Sequence, residues 1–177
     1  MRKTRLLTLI AIFATLFASC GIFSKKDISK FKELKTLTGT SGRVVSVCWS
    51  PDGKYLASGA GGLVGEESVK EIFIWDAKSG EKLKNLKRDS SAIESVCWSP
   101  DGKYLASGSY DGTVIIWDAN SGQKLKTLEG HSLEVNSVCW SPDGKYLASG
   151  ARSLVDEEFV GELFIWDANS GQKLKNL

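Results

Sequence analysis

The chain has 177 residues, with 23 Lys and Arg against 21 Asp and Glu. Three of the basic residues, Arg2, Lys3 and Arg5, lie in the first 19 positions, which hold no acidic residue. Without them, 20 basic residues face 21 acidic ones, so the body of the protein is nearly neutral. Binding of nucleic acid needs a basic face, and this balance argues against such a partner.

The start of the chain is typical of an export signal. The basic residues are followed by Leu6 to Phe17, an uncharged stretch that is shorter than the roughly 20 residues of a membrane-spanning helix. Such a stretch fits the apolar region of a signal peptide. Ala18 and Ser19 are small and precede Cys20. This segment resembles the lipobox of bacterial lipoproteins, in which the peptide is cut before a Cys that is then lipidated.

The resemblance implies that residues 1–19 are removed, that Cys20 is lipidated and that residues 20–30 form a tether. An ordinary secretory signal and an uncleaved membrane anchor are the alternatives. All three place the remaining residues outside the cytoplasm. We therefore expect the protein in the bacterial cell envelope, held to a membrane by a lipid at Cys20 and facing the periplasm or the outer surface.

An internal repeat organises residues 31–177. The run from Val47 to Gly59 recurs unchanged from Val96 to Gly108 and from Val138 to Gly150. A second run, which contains Trp-Asp, follows each copy, at Ile72–Ala77, Val114–Ala119 and Leu163–Ala168. The repeat is 42 to 49 residues long, a length typical of arrays in which one small unit is stacked several times.

The pattern predicts four short strands in each repeat. In the first repeat, Val44 to Trp49 is rich in β-branched residues and ends at a Ser-Pro-Asp-Gly turn. Tyr55 to Ser58 is the predicted second strand. Ile72 to Trp75 is a continuous apolar run, typical of a strand that is covered on both faces. Lys82 to Leu86 alternates and predicts an outer strand with one exposed face. The predicted fold is therefore all-β.

These blocks resemble the WD-repeat family, and the resemblance covers residues 31–177. In that family each repeat forms a four-stranded blade of a β-propeller. The resemblance implies three blades, at approximately residues 38–86, 87–128 and 129–177. It also implies a buried tetrad of His, Ser, Asp and Trp in each blade.

The repeats supply most members of this tetrad. The matching residues are Ser58 and Trp75 in the first blade, Ser107, Asp111 and Trp117 in the second, and His131, Ser149 and Trp166 in the third. Thr40 and Asp89 stand where the first two blades should have His, and an insertion replaces the Asp turn of the third. We therefore expect the blades to depend more on packing than on this network.

The repeated cysteines and tryptophans are expected in the core. Three cysteines occupy one repeat position, and their spacings of 49 and 42 residues fit neither a zinc pattern nor a disulfide framework. Small buried side chains are the expected role of such thiols. The residues concerned are Cys48, Cys97 and Cys139, together with Trp49, Trp98, Trp140, Trp75, Trp117 and Trp166.

Seven extra residues lie between the second and third strands of the first and third repeats. Both insertions contain the pattern Leu-Val-x-Glu-Glu-x-Val-x-Glu. The resemblance places them on a face that WD propellers often use for partners, so their residues are candidate protein contacts. The candidates are Leu63, Val64, Glu66 and Glu67, and Leu154, Val155, Asp156, Glu157, Glu158 and Phe159. The alternative is a hairpin that simply extends the two strands.

No catalytic, metal or cofactor site emerges from the sequence. The acidic run at 156–158 lacks the spacing of a calcium loop and is expected to be solvated. Gly59 to Gly62 opens no helix and therefore makes no phosphate cradle. His131 occupies the structural Gly-His position of the family. We expect a protein that is not an enzyme and has no cofactor. An envelope hydrolase on a propeller scaffold is the alternative from another functional class.

Three blades are fewer than the four to eight that close a propeller. A strand from Phe31 to Leu37 is expected before the first blade and another from Lys173 to Leu177 at the end, so one strand is left over. Two explanations fit: a fragment of a longer propeller without independent function, or self-association, for example as a six-blade ring from two chains. The expected function is a membrane-anchored scaffold that binds other proteins.

Overall fold

Three four-stranded antiparallel sheets make up the fold, and each is formed by one repeat. The computed structural model describes residues 35–64, 67–87 and 91–176. Within each sheet, consecutive long strands are neighbours, so every blade is a meander that one segment of the chain completes alone. The prediction of an all-β fold built from three blades is confirmed.

The first blade contains six strands in chain order. They are β1 (Arg43–Trp49), β2 (Tyr55–Gly61), β3 (Leu63–Val64), β4 (Glu67–Ser68), β5 (Glu71–Asp76) and β6 (Lys82–Lys87). The sheet has the spatial order β1-β2-β5-β6, and the two short strands β3 and β4 pair with each other.

The second and third blades contain four strands each. The second consists of β7 (Ile93–Trp98), β8 (Tyr104–Ser109), β9 (Val114–Asp118) and β10 (Lys124–Leu128). The third consists of β11 (Val135–Trp140), β12 (Tyr146–Val155), β13 (Glu158–Asp167) and β14 (Lys173–Asn176). The middle strands of the third blade are the longest because the insertion continues them.

The same turn joins the first two strands of each blade. In the first blade, the Gly53 amide donates to the Ser50 carbonyl at 2.9 Å, with φ of +69° at the glycine. The Asp52 carboxylate accepts from the Ser50 hydroxyl at 2.7 Å and from the Lys54 amide at 3.1 Å. These hydrogen bonds, the one from Ser50 above all, hold the pKa of Asp52 below its usual value. The sequence Ser-Pro-Asp-Gly is therefore sufficient to place the turn.

Adjacent blades pack through the faces of their sheets. Trp98 of the second blade stacks on Tyr55 of the first with 6.5 Å between ring centroids. Trp140 of the third blade stacks on Tyr104 of the second at 6.2 Å. Two clusters of buried apolar side chains occupy these two interfaces. Burial of these side chains between the blades therefore stabilises the fold, since each Å² of apolar surface removed from water contributes about 25 cal/mol.

Glycines in the second strands let the next blade approach closely. A Cβ atom on Gly59 would lie 2.6 Å from Cγ2 of Ile93, and one on Gly108 would lie 2.8 Å from Cγ1 of Val135. The first strand of each following blade therefore rests directly on the backbone of the blade before it. This contact explains why the repeated run ends in Gly.

The first blade leaves one face uncovered. Trp49 is 58% exposed, whereas the equivalent Trp98 and Trp140 are each 7% exposed. The expectation that all six repeated tryptophans lie in the core is therefore wrong for Trp49. The reason is that no blade among the described residues precedes the first one.

The third blade leaves its opposite face uncovered. Cys139 is exposed, while Cys48 and Cys97 are half-buried under the blade that follows each of them. The expectation of buried cysteines is therefore wrong for Cys139, because no described blade follows the third.

The strand expected from Phe31 to Leu37 is not formed in its described part. Residues 35–37 are outside any strand, and residues 31–34 lie outside the described residues. An outer strand pairs with the third strand of a blade, and β5, β9 and β13 already have neighbours on both sides.

The N-terminal expectations concern residues outside the described part. Cys20 and the predicted signal and tether lie among residues 1–34. In the part of the chain that the structure does describe, no helix has the length and apolar character needed to cross a membrane.

Candidate protein-binding surface

The connecting segments gather at two ends of the blades. At the first, the hairpin between the second and third strands meets the segment that leads into the first strand, as Glu162 meets Ser132. We call this the hairpin end. The Ser-Pro-Asp-Gly turns lie at the other end, beside the turn that follows the third strand. There the Ala77 amide donates to the Lys54 carbonyl at 2.9 Å.

The hairpin of the third blade is the most prominent feature of the hairpin end. β12 and β13 pair without interruption from Tyr146 opposite Asp167 to Val155 opposite Glu158. Asp156 and Glu157 form the turn, with φ of +50° and +67°. Positive φ at both positions is what a two-residue type I′ turn requires. The alternative of a hairpin that extends the strands is confirmed for this insertion.

The tip of this hairpin exposes apolar side chains on both faces. Leu154 and Phe159 face each other across the strands and are 54% and 67% exposed. Val155 and Val160 lie on the opposite face and are also exposed. We define the hairpin tip as these four residues and the three acidic residues 156–158. Exposed apolar side chains grouped in this way mark interaction sites.

Arg152 fixes Phe159 without covering it. The guanidinium carbon lies 5.2 Å from the centroid of the Phe159 ring, within the range of a cation–π contact. The same guanidinium pairs with Glu134, a buried carboxylate in the segment before β11. The aromatic ring is therefore held in place on the surface.

The insertion of the first blade pairs in the same register as that of the third, with Leu63 opposite Ser68 and Val64 opposite Glu67, but with one interruption. Gly62 has φ of +100° and interrupts the strand where the third blade has the extended Ser153. Beyond it only β3 and β4 pair, and the amide of the buried Val69 donates to the Gly62 carbonyl at 2.8 Å. These short strands contain Leu63, Val64 and Glu67. The side chains of these three residues, and the whole of Glu66, lie outside the described part of the chain.

A buried chain of hydrogen bonds supports the long hairpin. The Trp166 indole donates to the Ser149 hydroxyl at 2.7 Å, and that hydroxyl lies 2.6 Å from Nε2 of His131. Nδ1 of His131 lies 3.0 Å from the Glu162 carboxylate. The third blade therefore has a complete tetrad in which Glu162 replaces Asp. The expectation that the insertion removes the acidic member is wrong, because the insertion itself ends in the required carboxylate.

Burial of His131 in this hydrogen-bonded chain favours its neutral form. Its side chain has no exposed surface, and burial lowers its pKa while the hydrogen bond to Glu162 opposes this shift in part. Burial acts to raise the pKa of Glu162, but hydrogen bonds from His131 and Ser132 outweigh it and lower that pKa. The His131 ring also stacks on Phe164 at 4.0 Å. The imidazole is thus a structural group, as its position in the repeat predicts.

The first blade has the acid without the histidine. Glu71 accepts hydrogen bonds from the amide and hydroxyl of Ser41, both at 2.9 Å, as Glu162 does from Ser132. Lys82 donates to the Gly39 carbonyl at 2.6 Å, and its ammonium lies 3.7 Å from the centroid of the Phe73 ring. A lysine over this ring was not predicted. The repeat could have indicated this contact, because Lys173 occupies the equivalent position in the third blade, where it lies over Phe164.

The hydrogen bond between Trp and Ser is the part of the tetrad that all three blades share. The indole of Trp75 donates to Ser58 at 2.8 Å, and that of Trp117 donates to Ser107 at 2.9 Å. In the second blade, Asp111 accepts hydrogen bonds from the amide and hydroxyl of Thr113. Asp89, which stands at the His position, is outside the described residues. For this blade, the expectation that packing outweighs the network stays a prediction.

The repeated cysteines take part in contacts between blades. The Trp98 amide donates across the first interface to the sulfur of Cys48 at 3.4 Å. Hydrogen bonding with the Cys97 thiol lowers the pKa of Cys48, and the same contact raises the pKa of Cys97. Among the described residues, no group of three or more His, Cys, Asp or Glu side chains is arranged to hold a metal ion.

A cleft of about 320 Å³ opens at the turn end, between the first and second blades. Its walls combine the aromatic rings of Tyr55 and Trp98 with the carboxylates of Asp52 and Asp101 and the ammonium of Lys84. Asp52 and Asp101 are held by their own turns, through bonds from Ser50 and Ser99. These carboxylates are thus engaged in structure and leave the hairpin end as the better candidate surface.

Comparison with known families identifies the repeats. The model of the WD domain, G-beta repeat, matches residues 31–64, 80–118 and 122–154, which is more than half of the chain. The chain belongs to the WD-repeat family, as its Trp-Asp runs predict. A search of curated proteins finds no match.

Solved structures contain similar folds. One of them, titled "Structure of U3-55K", matches with a TM-score of 0.68 and 26% sequence identity. The match covers 81% of this chain and 41% of that one. The chain thus spans less than half the length of this structural neighbour.

The tetrad of the third blade predicts a specific dependence of stability on pH. The folded-state pKa of His131 lies below the value near 6.5 expected in the unfolded chain, so folding excludes a proton. The stabilisation is fully present above pH 6.5 and is lost as pH falls towards the folded-state pKa. The melting temperature should therefore decrease between pH 7.5 and pH 5.5, as measured by circular dichroism.

The control is His131→Thr, which introduces the residue that the first blade has at this position. This variant should melt at a lower temperature and show a smaller change between the two pH values. Any contribution of Cys48 is common to both proteins and cancels in the difference. Equal pH dependence in the two proteins would show that His131 is not buried in its neutral form.

Proposed function

We propose that this protein is a membrane-anchored scaffold of the bacterial envelope that binds a partner protein through the hairpin tip. The observation that carries the proposal is the exposed pair Leu154 and Phe159 on a hairpin whose base is locked by a buried tetrad. WD repeats as a family serve as protein-interaction scaffolds, which supports the general role. The chain acts by binding and not by catalysis, as is typical of WD scaffolds.

The chemistry of the tip indicates the kind of surface that it binds. Phe159 and Leu154 offer apolar contact area, and aromatic anchors carry much of the energy in protein interfaces. The carboxylates of Asp156, Glu157 and Glu158 lie beside them. The partner should therefore present an apolar depression bordered by Lys or Arg, so that charges of opposite sign meet around the apolar contact.

The rigidity of the hairpin favours this role. The strands are paired up to the two-residue turn, and Arg152 holds the Phe159 ring from one side. A surface that is already ordered loses little conformational freedom on binding, and this raises the affinity that a small contact area can give.

Lipidation of Cys20 is the second part of the proposal. It rests on the resemblance of residues 16–20 to a lipobox and on the charged, then apolar, residues that precede them. Residues 21–30 are long enough to hold the blades up to roughly 35 Å from the membrane, since an extended chain spans about 3.5 Å per residue. Two blade ends would then be accessible to proteins of the envelope.

Removing the apolar tip should abolish partner binding. The triple substitution Leu154→Ser, Val155→Ser and Phe159→Ser should reduce recovery of crosslinked partner protein at least tenfold in a pull-down. These side chains are exposed, so the melting temperature should change little. Leu125→Ser, at an exposed residue of the outer strand β10, is the matched control and should leave recovery unchanged.

Unchanged recovery with the triple variant, or equal loss with Leu125→Ser, would contradict the assignment of the hairpin tip. A charge-reversal set, Asp156→Lys, Glu157→Lys and Glu158→Lys, refines the test. It should weaken binding and make the remaining binding less sensitive to salt, because opposite charges no longer meet at the interface.

Loss of Cys20 should release the protein from the membrane. In a bacterial host, the wild-type chain should sediment with membranes and incorporate labelled fatty acid. Cys20→Ala should do neither, whereas Cys139→Ala, which removes an exposed thiol elsewhere, should behave as wild type. Labelling that persists in Cys20→Ala would contradict a lipid anchor at this residue.

A further inference from the structure

We propose that the open face of the third blade binds the open face of the first blade of a second copy of this chain, so that two chains form one six-blade ring. The basis is an interface that the chain already makes twice with itself. The second blade packs on the first and the third packs on the second through the same repeat positions. The two open faces are the two unmatched halves of that interface.

The open face of the first blade carries the inserting half of this interface, which is the set of side chains that pack into the preceding blade. Val44, Val47 and Trp49 are 44%, 48% and 58% exposed. Their equivalents in the second blade are Ile93, Val96 and Trp98, and in the third Val135, Val138 and Trp140; none of these six is more than 7% exposed. The first blade therefore presents to solvent the side chains whose equivalents hold the second and third blades against the blade before each.

The open face of the third blade carries the receiving half of this interface, which is the surface on which the next blade packs. Gly59 and Gly108 each receive a β-branched side chain of the next blade at less than 3 Å from an added Cβ. The equivalent Gly150 has only the Ser137 side chain nearby, at 4.0 Å. Tyr146, the equivalent of the two tyrosines on which Trp98 and Trp140 stack, is exposed. The site that would receive Val44 and Trp49 is therefore formed and uncovered.

Polar groups repeat in the same register. The Val96 amide donates to the Ser46 hydroxyl at 3.0 Å, and the Val138 amide donates to the Ser95 hydroxyl at 3.2 Å. In the proposed contact the Val47 amide of the second copy donates to Ser137. The Trp49 amide of that copy likewise donates to the sulfur of Cys139, as the Trp98 amide does to Cys48.

The turns supply a third match. An added Cβ on Gly102 would lie 3.7 Å from Pro51, and one on Gly144 would lie 3.8 Å from Pro100. The equivalent Gly53 of the first blade has no atom within 4 Å of that position. In the proposed contact it lies beside Pro142 of the other copy. Packing, backbone hydrogen bonds and turn contacts thus all continue in one register.

The stoichiometry follows from the number of blades. A contact between two different faces of one molecule generates either a closed ring or an open filament. Closed propellers have four to eight blades, and six is the multiple of three within that range. Two chains joined by two identical contacts therefore close the ring and leave no face uncovered.

The test uses the full chain with Cys20→Ala, which removes the lipid while leaving every blade intact. Sedimentation velocity and native mass spectrometry should show a dimer. Gly150→Val should give a monomer with an unchanged circular dichroism spectrum, because the new side chain meets open space within its own chain but blocks Val44 of a second copy. Gly161→Val is the matched control. An added Cβ there meets nothing within 4 Å, much as the one on Gly150 meets only Ser137 at 4.0 Å, but Gly161 lies outside the repeated contact, so this variant should remain a dimer.

Cross-linking provides a readout that does not depend on the folding of Gly150→Val. With Cys20→Ala and Cys97→Ser, the remaining cysteines are Cys48 and Cys139. A short bismaleimide should join Cys139 of one chain to Cys48 of the other and give a covalent dimer on a denaturing gel. Replacing either cysteine by Ser should prevent this dimer.

A wild-type monomer at all concentrations, or a dimer that survives Gly150→Val, would overturn the proposal. Species that grow beyond two chains with concentration would overturn the closed ring. The hairpin-tip variant is measured in the same way. A dimer that forms normally while partner recovery is lost separates self-association from the binding role of the hairpin.

Discussion

The contact between the first strand of one blade and the sheet of the blade before it is the interaction on which the rest of the structure depends. A single four-stranded sheet with two apolar faces cannot bury them alone. Here Trp98 covers the face of the first blade and Trp140 covers that of the second, each stacked on a tyrosine. The repeated Gly at the end of this run leaves no side chain that would keep the blades apart.

The two faces of a blade play different parts in this contact. This difference explains the open faces of the first and third blades. Each blade uses one face to insert and the other to receive, so any finite row of blades ends in one unused half of each kind. Trp49 marks the inserting half and Gly150 the receiving half. The proposed ring of two chains follows from the same contact and needs no new kind of interaction.

The hairpin end of the third blade combines this packing with a polar network. The insertion lengthens β12 and β13, and its last residue, Glu162, completes the tetrad with His131 below the tip. Different residues of one insertion thus stabilise the blade and provide the exposed apolar surface. Glu162 fixes the base, whereas Leu154 and Phe159 remain free to contact a partner.

The repeat made the fold predictable, because three copies of one turn and one Trp-Asp run define strands and their order. The hairpin alternative for the third insertion was also accessible from its alternation. The sequence did not reveal that the first insertion is interrupted at Gly62, since the shared pattern conceals the effect of one positive φ. It also did not reveal Glu162 as a tetrad member, because that role depends on distance across the blade and not on spacing along the chain.

Exposure was the property that the repeat concealed most. Trp49, Trp98 and Trp140 have identical neighbours in sequence, and only the presence of a preceding blade distinguishes them. Identical residues in identical local surroundings therefore differ because of their place in the row. The same reasoning applies to Cys139, which the repeat places with two half-buried thiols and the structure places in solvent.

The most direct measurement is the free energy of unfolding of three variants, Trp49→Ala, Trp98→Ala and Trp140→Ala, at a dilution where the chain is monomeric by sedimentation. If contact between blades holds the fold together, Trp98→Ala and Trp140→Ala should each cost about 3–5 kcal/mol, as truncation of a buried tryptophan does. Trp49→Ala should cost much less, because its side chain is mostly exposed. Equal losses at all three positions would show that the tryptophans stabilise their own blades and would contradict the account.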